Sequence, residues 1–227
     1  MMDSPSNPAT TWLFLVRHGA TEANESRPYV LQGRYMDLTL SEAGQQQAES
    51  VGRFLSGFAI RRVFSSPLRR AIETAKAIAK PHGLTIQTLD ALTECDVGRW
   101  EGKDWDSIMR DDPEAYQRFR DDPATHPYVG GETYADVLTR VRPALKHLLD
   151  RHAGETIVVV AHNVVNRVFL SELLGVELRR ASQIPQTNAC VNIIRQRGDE
   201  IKLLTLNGIF HLGLLPRQTD LAAKPGR

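Results

Sequence analysis

The sequence predicts an α/β protein: a three-layer α/β/α sandwich around a mostly parallel central sheet, with a small helical cap inserted. Three observations predict it. Residues 12–16 (WLFLV) and 156–161 (TIVVVA) are short, continuously apolar runs, the pattern of strands covered on both faces. Stretches of helical period follow such runs, so strands and helices alternate along the chain. From about residue 95 to 130 no strand pattern occurs. That segment is helical and punctuated by proline, as expected of a cap over one end of the sheet.

The elements follow in order. Residues 1–10 are polar and proline-containing and read as a disordered lead-in, ahead of a single domain over 11–215. Residues 12–16 form the first strand. Ser41 caps a helix with Ala48, Val51 and Leu55 on one face, and Gly57 is its stop. Residues 62–64 read as a second strand. Ser65-Ser66-Pro67 then supplies an N-cap with Pro at the first helical position, and that helix runs to His82-Gly83. Residues 85–89 alternate as a strand does. Residues 104–121 hold two helical pieces separated by Asp112-Pro113. A long amphipathic helix covers 132–152, with Val137, Val141, Leu145 and Leu148 on one face. After the strand at 156–161, a helix over 164–174 ends at Gly175. Residues 189–195 and 201–206 read as late strands joined by a turn at Gly198-Asp199; the first is a candidate edge for pairing with another chain, so monomer and homodimer are both open. Residues 216–227 read as a flexible tail.

Composition narrows the function. A chain of 227 residues with 41% hydrophobic and 24% charged residues is ordinary for a soluble domain. A net charge of +1, with no basic stripe, gives no pull toward nucleic acid or anionic lipid. The apolar run at 157–161 is far too short to span a bilayer. The opening MMDSPSNPATTW lacks the basic flank and apolar core of a signal peptide, so the expected location is the cytoplasm. Cys95 and Cys190 form neither a disulfide framework nor a metal-ligand spacing and read as buried thiols.

Ligands of parallel sheets sit at the carboxyl ends of strands. Arg17-His18-Gly19 follows the first strand and Ser65-Ser66-Pro67-Leu68-Arg69-Arg70 the second. Thr93-Glu94 comes shortly after the third, and His162-Asn163 follows the most apolar one. Two histidines, at least two arginines and a glutamate thus reach one edge. Taken singly, His18 and His162 read as core or capping histidines; together they suit phosphoryl transfer. A neutral imidazole attacks phosphorus. Guanidinium forks match phosphate oxygens. A carboxylic acid protonates a leaving alkoxide and later deprotonates water. Gly19 lets backbone approach an oxyanion. Arg69 and Arg70 both stand in a first helical turn, where the dipole disfavours cations. Arg69 reads as solvated and Arg70 as an anion ligand. His82, His126, His147, His152 and His211 have no such company.

Arg17-His18-Gly19 with Thr21, Glu22 and Asn24 resembles the signature of the histidine phosphatase superfamily, the phosphoglycerate mutase-like fold. Four further pieces agree in order: Ser65 to Ala71 with Thr74-Ala75; Glu94 with Gly98-Arg99-Trp100-Glu101-Gly102; Gly131-Glu132-Thr133 with Arg140; and Val160-Ala161-His162. The resemblance covers residues 12 to 212. It implies that His18 becomes phosphohistidine, that Arg17, Arg70 and His162 hold the phosphoryl oxygens, and that Asn24 adds a neutral donor. Glu94 would be general acid and base, with Asp96 and Glu101 close enough to compete for that role. Gln32 and Gly33 would line the substrate side, and Asn163 the pocket rim. No metal is implied.

Three departures stand out. Ala20 replaces the usual Glu, Asn163 replaces the usual Gly, and the stretch between Asn24 and Gln32 is about two residues longer. The expected activity is hydrolysis of a small phosphorylated metabolite. The alternative is a cofactor-dependent phosphoglycerate mutase, which alone would call for 2,3-bisphosphoglycerate. A mutase resembling this family carries a basic insertion after the acid motif. Residues 104–122 hold seven acids and three arginines, which favours the phosphatase. Trp100 and Trp105 read as packing the cap onto the core. A scaffold without turnover would be expected to lack His18, Arg70 or His162, and all are present.

Overall fold

The computed structural model describes residues 9–213, so the lead-in apart from its last two residues, and the whole tail, lie outside the described residues. One six-stranded sheet carries the molecule, built from β1 (Thr10–Arg17), β2 (Ile60–Ser65), β3 (Ile86–Thr88), β4 (Thr156–Ala161), β5 (Val191–Arg197) and β6 (Glu200–Gly208). Their spatial order is β3-β2-β4-β1-β5-β6. The first four are parallel; β5 and β6 add two antiparallel pairings. β1 starts at Thr10, two residues before the apolar run, because backbone pairing with β5 continues past the residues that need burial.

β5 is not an edge, contrary to expectation. It lies between β1 and β6, and its inward Val191 and Ile194 are buried. Short apolar runs look alike at an edge and in the interior, so pattern alone misplaced it.

Alternate residues of β1 and β4 point into two cores. Leu13, Leu15, Ile157 and Val159 meet α6 (Tyr134–Arg151) and α7 (Asn163–Leu174). Phe14, Val16, Val158 and Val160 meet α2 (Glu42–Leu55) and α3 (Arg69–Ala79). These are the three layers. Each such Val, Leu or Phe contributes roughly 1.5–3 kcal/mol by leaving water. The short α1 (Glu22–Glu25) follows β1.

Helix ends follow local chemistry. Ser41 Oγ accepts the Gly44 N–H, as expected of a cap. Gly57 is not the stop: α2 closes on Ser56 in ordinary helical conformation. Gly175, at φ +64°, does end α7. α6 starts later than its acid-rich approach suggests, because Thr133 and Asp136 form a reciprocal capping box. Gly19 has a use other than the one expected: a Cβ there would lie 2.4 Å from the Gly44 carbonyl oxygen, so it lets α2 pack against the loop after β1.

The cap comprises α4 (Trp105–Asp111) and α5 (Pro113–Asp121), split at Asp112-Pro113. Trp100 is fully buried and organises an aromatic cluster, with ring centroids 5.6 Å to Phe119, 5.9 Å to Tyr128 and 6.3 Å to Trp105. Its indole N–H donates to Asp112 at 2.8 Å, tying the helix break to the core. Among the described residues no helix is long and apolar enough to cross a membrane.

Candidate active site

Strand register assembles the site. β1 and β4 pair with Arg17 opposite Ala161, so His18 and His162 leave the sheet side by side, their rings 5.1 Å apart. β2 pairs with β4 through Ser65 and Val160, which sets Ser66 at the same level. His18 is nearly buried. Its Nδ1 lies 2.7 Å from the Gly19 carbonyl oxygen, which only accepts, so Nδ1 carries the hydrogen and Nε2 the lone pair. Burial, then the nearby Arg70 and Arg17, hold the His18 pKa well below the ordinary histidine value. Burial, Arg70 and His18 do the same for His162.

His162 Nε2 lies 2.7 Å from Ser66 Oγ. That oxygen also accepts the Leu68 N–H at 3.3 Å, so the serine ties the imidazole to the start of the following helix. Ser66 is therefore not the helix N-cap that the sequence suggests. Leu68 holds that position, and the serine serves the histidine.

Arg70 is 1% exposed and donates to the carbonyls of Gly33 at 2.9 Å and Met36 at 3.2 Å. Arg69 is exposed, as expected. Arg17 donates through Nη1 to the Gln186 carbonyl. Arg17 Nε, Arg70 Nε and His162 Nδ1 are buried without a hydrogen-bond partner among the described residues. Two unpaired guanidinium donors and an unpaired imidazole nitrogen around His18 are the pattern expected where a bound oxyanion completes the hydrogen bonding.

Glu94 is the carboxylate that faces this group from the cavity wall, buried, with Oε1 accepting from Cys95 N and Oε2 from Val164 N. The two competing acids are engaged elsewhere. Glu101 Oε1 takes the N–H groups of Gly33, Tyr35 and Met36, and Asp96 takes Gly98 N–H. Arg140 grips the strand-end segment that carries Glu94. It donates to the carbonyls of Ala91, Thr93 and Glu94 at 2.8, 2.7 and 3.3 Å and pairs with Glu132, which in turn accepts Asp96 N–H.

A cavity of about 730 Å³ opens above His18. Arg17, Asn24, Gln32, Glu94 and Asn163 stand on its wall; Arg70, His162 and Gly33 do not line it, and Arg70 and His162 are buried. Gly33 thus does not line the substrate side. Its carbonyl holds Arg70, and a Cβ there would sit 2.6 Å from Val97. Asn24 Oδ1 accepts from Asn188 Nδ2 at 3.1 Å, and that amide nitrogen also reaches the His18 carbonyl. Gln32 Oε1 accepts from Thr21. Asn163 Oδ1 is buried without a hydrogen-bond partner among the described residues.

The acids of the cap do not shape the cavity. Asp104 caps α4, Asp111 and Asp112 pair with Lys103 and Arg99, and of the seven only Asp121 lines the wall. The composition argument for a phosphatase therefore loses its premise. Sequence reading also missed Arg120, Arg167, Arg179 and Arg180, which line the same cavity from separate elements and make no motif.

Residues 13–208 match the histidine phosphatase superfamily (branch 1). The chain is 35% identical over 201 residues to phosphoserine phosphatase 1 of Hydrogenobacter thermophilus, covering 88% of this chain and 94% of that protein. It is 36% identical to phosphoglycerate mutase-like protein 4 of Arabidopsis thaliana, covering 88% and 86%. The solved structure of Bacillus stearothermophilus YhfR superposes with a TM-score of 0.82 at 31% identity, covering 89% of this chain and 99% of that one.

Proposed function

Since the chain belongs to the histidine phosphatase superfamily (branch 1), we propose that it is a phosphomonoester hydrolase working through phosphohistidine on His18. The observation that carries this reading is a set of buried nitrogens without a hydrogen-bond partner among the described residues, Arg17 Nε, Arg70 Nε and His162 Nδ1, around an imidazole whose Nε2 keeps its lone pair. Similarity to a phosphoserine phosphatase supports hydrolysis over the mutase alternative.

In this reading His18 Nε2 attacks phosphorus while the bond to the leaving oxygen breaks. Arg17, Arg70 and His162 hold the equatorial oxygens and stabilise their developing charge. Asn24 orients the loop and adds a neutral contact. Glu94 gives its proton to the leaving alkoxide. It then takes one from the water that attacks phosphohistidine, releasing phosphate and restoring neutral His18. The guanidinium groups supply the positive charge, so neither metal nor cofactor is required. The substrate is a small phosphorylated metabolite, and Gln32 and Asn163 touch its leaving group.

Wild type and His18→Ala decide the matter, each assayed with radiolabelled phosphomonoester in excess chelator. Wild type should release phosphate and carry acid-labile label on protein. The variant should lose both, with turnover down about 10⁴-fold or more. Normal turnover by the variant sinks the mechanism. Metal-restored activity in wild type sinks the metal-free site. Interconversion of phosphoglycerates dependent on the bisphosphate, with little release, would make it a mutase.

A further inference from the structure

We propose that Gln186 and Asn192, joined as a carboxamide pair inside the core, are positioning residues for phosphoryl transfer that act through Arg17. The inference rests on the phosphatase reading and extends it from the groups that touch phosphate to those that aim them.

The pair is buried, with Asn192 at 0% exposure and Gln186 at 5%. Backbone fixes which way each amide points. Asn192, on β5, gives Nδ2 to the Leu15 carbonyl of β1 at 3.0 Å and takes the Asn207 N–H on Oδ1 at 2.9 Å. A carbonyl only accepts and an N–H only donates, so this carboxamide has one orientation. Gln186 meets it atom for atom. Its Nε2 donates to Asn192 Oδ1 and its Oε1 accepts from Asn192 Nδ2, both at 3.0 Å. The ladder makes room for this contact. Val191 faces Gly208 and Ile193 faces Thr205, so β6 holds one residue more than β5 there, and Asn207 stands in that bulge at φ +51°.

What the pair holds is the Gln186 main chain, whose carbonyl accepts from Arg17 Nη1. A guanidinium is a rigid fork, so a grip on Nη1 also sets Nε, the atom left for a phosphoryl oxygen. The same turn reaches the nucleophile's backbone: Asn188 Nδ2 and the Ala189 N–H donate to the His18 carbonyl at 3.2 and 3.1 Å. Stability alone does not call for these amides. Asn166 of α7 gives Nδ2 to Gln186 Oε1 at 3.0 Å, yet its own buried Oδ1 has no hydrogen-bond partner among the described residues. Apolar side chains of the same shape would fill the space without that cost. A polar cluster that costs stability, rigidifies its surroundings and ends on Arg17 fits a role in aiming it.

A double-mutant cycle with Arg17 tests this. Wild type, Asn192→Ala, Arg17→Ala and the double variant are compared in kcat/KM for nitrophenyl phosphate and, by calorimetry, in affinity for inorganic phosphate. Asn192→Ala alone should lower kcat/KM about 10- to 10²-fold, since misplacing a catalytic group by about 1 Å costs up to about that much. Gln186→Leu should do the same. Once Arg17 is gone, either change should cost less than about threefold, and phosphate affinity should follow the same pattern. A residue that only stabilises the fold costs alike in both backgrounds. Equal losses therefore overturn the proposal, as does wild-type kcat/KM in a folded Asn192→Ala or Gln186→Leu. If neither variant folds, Asn166→Leu decides in their place. It removes a donor to Gln186 together with the unpartnered oxygen, so its urea midpoint should hold. Its kcat/KM should drop about threefold or more with Arg17 present and less than about twofold without it; no loss, or equal losses, overturns the proposal. Absence of phosphate release by wild type would overturn the hydrolase reading, while the phosphate-binding cycle still decides the positioning.

Discussion

The floor and the roof of the cavity are built on opposite terms. The floor is the carboxyl edge of β1, β2 and β4, where His18, Ser66 and His162 follow from three strands in register and are buried. The roof is α4, α5 and the turn at Leu178–Gln183, held by an aromatic cluster, with its arginines largely in solvent. Buried donors with one geometry suit chemistry common to many substrates. Exposed cations on separate elements suit recognition of one. The difference teaches that the reaction is written into the sheet and the choice of substrate into what surrounds it.

After loss of His18 itself, Glu94→Gln should show the largest effect on the floor side. Phosphate release from alkyl phosphates should fall about 10²- to 10⁴-fold. Release from nitrophenyl phosphate, whose leaving group needs no proton, should fall far less. Equal losses on both would remove Glu94 from the acid role.

Arg140→Ala tests whether the floor depends on the helix behind it. The change frees the carbonyls of Ala91, Thr93 and Glu94, and misplacement of the acid by about 1 Å can slow turnover up to about 10²-fold. The loss should repeat the leaving-group pattern of Glu94→Gln. A loss that is the same for alkyl and nitrophenyl esters would reduce Arg140 to a structural role.

Acid should reach the floor late. An ordinary histidine at pKa 6.5 is about 90% protonated at pH 5.5. His18 is held well below that, so the acid limb of kcat/KM, corrected for ionisation of the ester, should lie at lower pH than an ordinary histidine would give, and a limb at the ordinary histidine value would contradict it. Stability moves the other way. Below pH 6.5 the unfolded histidines take protons that folded His18 and His162 refuse. Their contribution is full above pH 6.5 and is lost as pH falls from there toward the depressed values. A lower urea midpoint at pH 5.5 than at 7.5 is the expected reading.

The smallest effect belongs to the roof. Trp105→Ala removes one apolar wall, about 1 kcal/mol of contact, and should raise KM roughly fivefold with kcat nearly kept. A collapse of kcat would show that the roof takes part in the chemistry and would erase the contrast.

Legibility divides along the same line. The floor residues sit directly after apolar runs, and parallel strands align such positions at one edge, so Arg17, His18 and His162 were readable. Ser66 was not, because Ser-Ser-Pro before a helix carries a stronger local meaning as a cap. Gly33 was assigned to the substrate, whereas its carbonyl holds Arg70, a contact 37 residues away in sequence. The cap's acids point to the phosphatase without shaping its cavity, since only Asp121 of the seven reaches the wall and composition counts charges without their directions. The placing of residues 189–195 at an edge failed for want of any sequence mark distinguishing interior from edge strands.

By itself the sequence determined the alternation of strands and helices, the covering of the central strands on both faces implied by their continuously apolar runs, and the pair of histidines at two strand ends. These are local properties, set by side-chain period and by which residue follows a strand. Only the tertiary structure decided which His18 nitrogen is free, which of three acids faces it, and that four dispersed arginines share one wall. Those outcomes depend on hydrogen bonds and burial between segments far apart in the chain, where no spacing rule reaches.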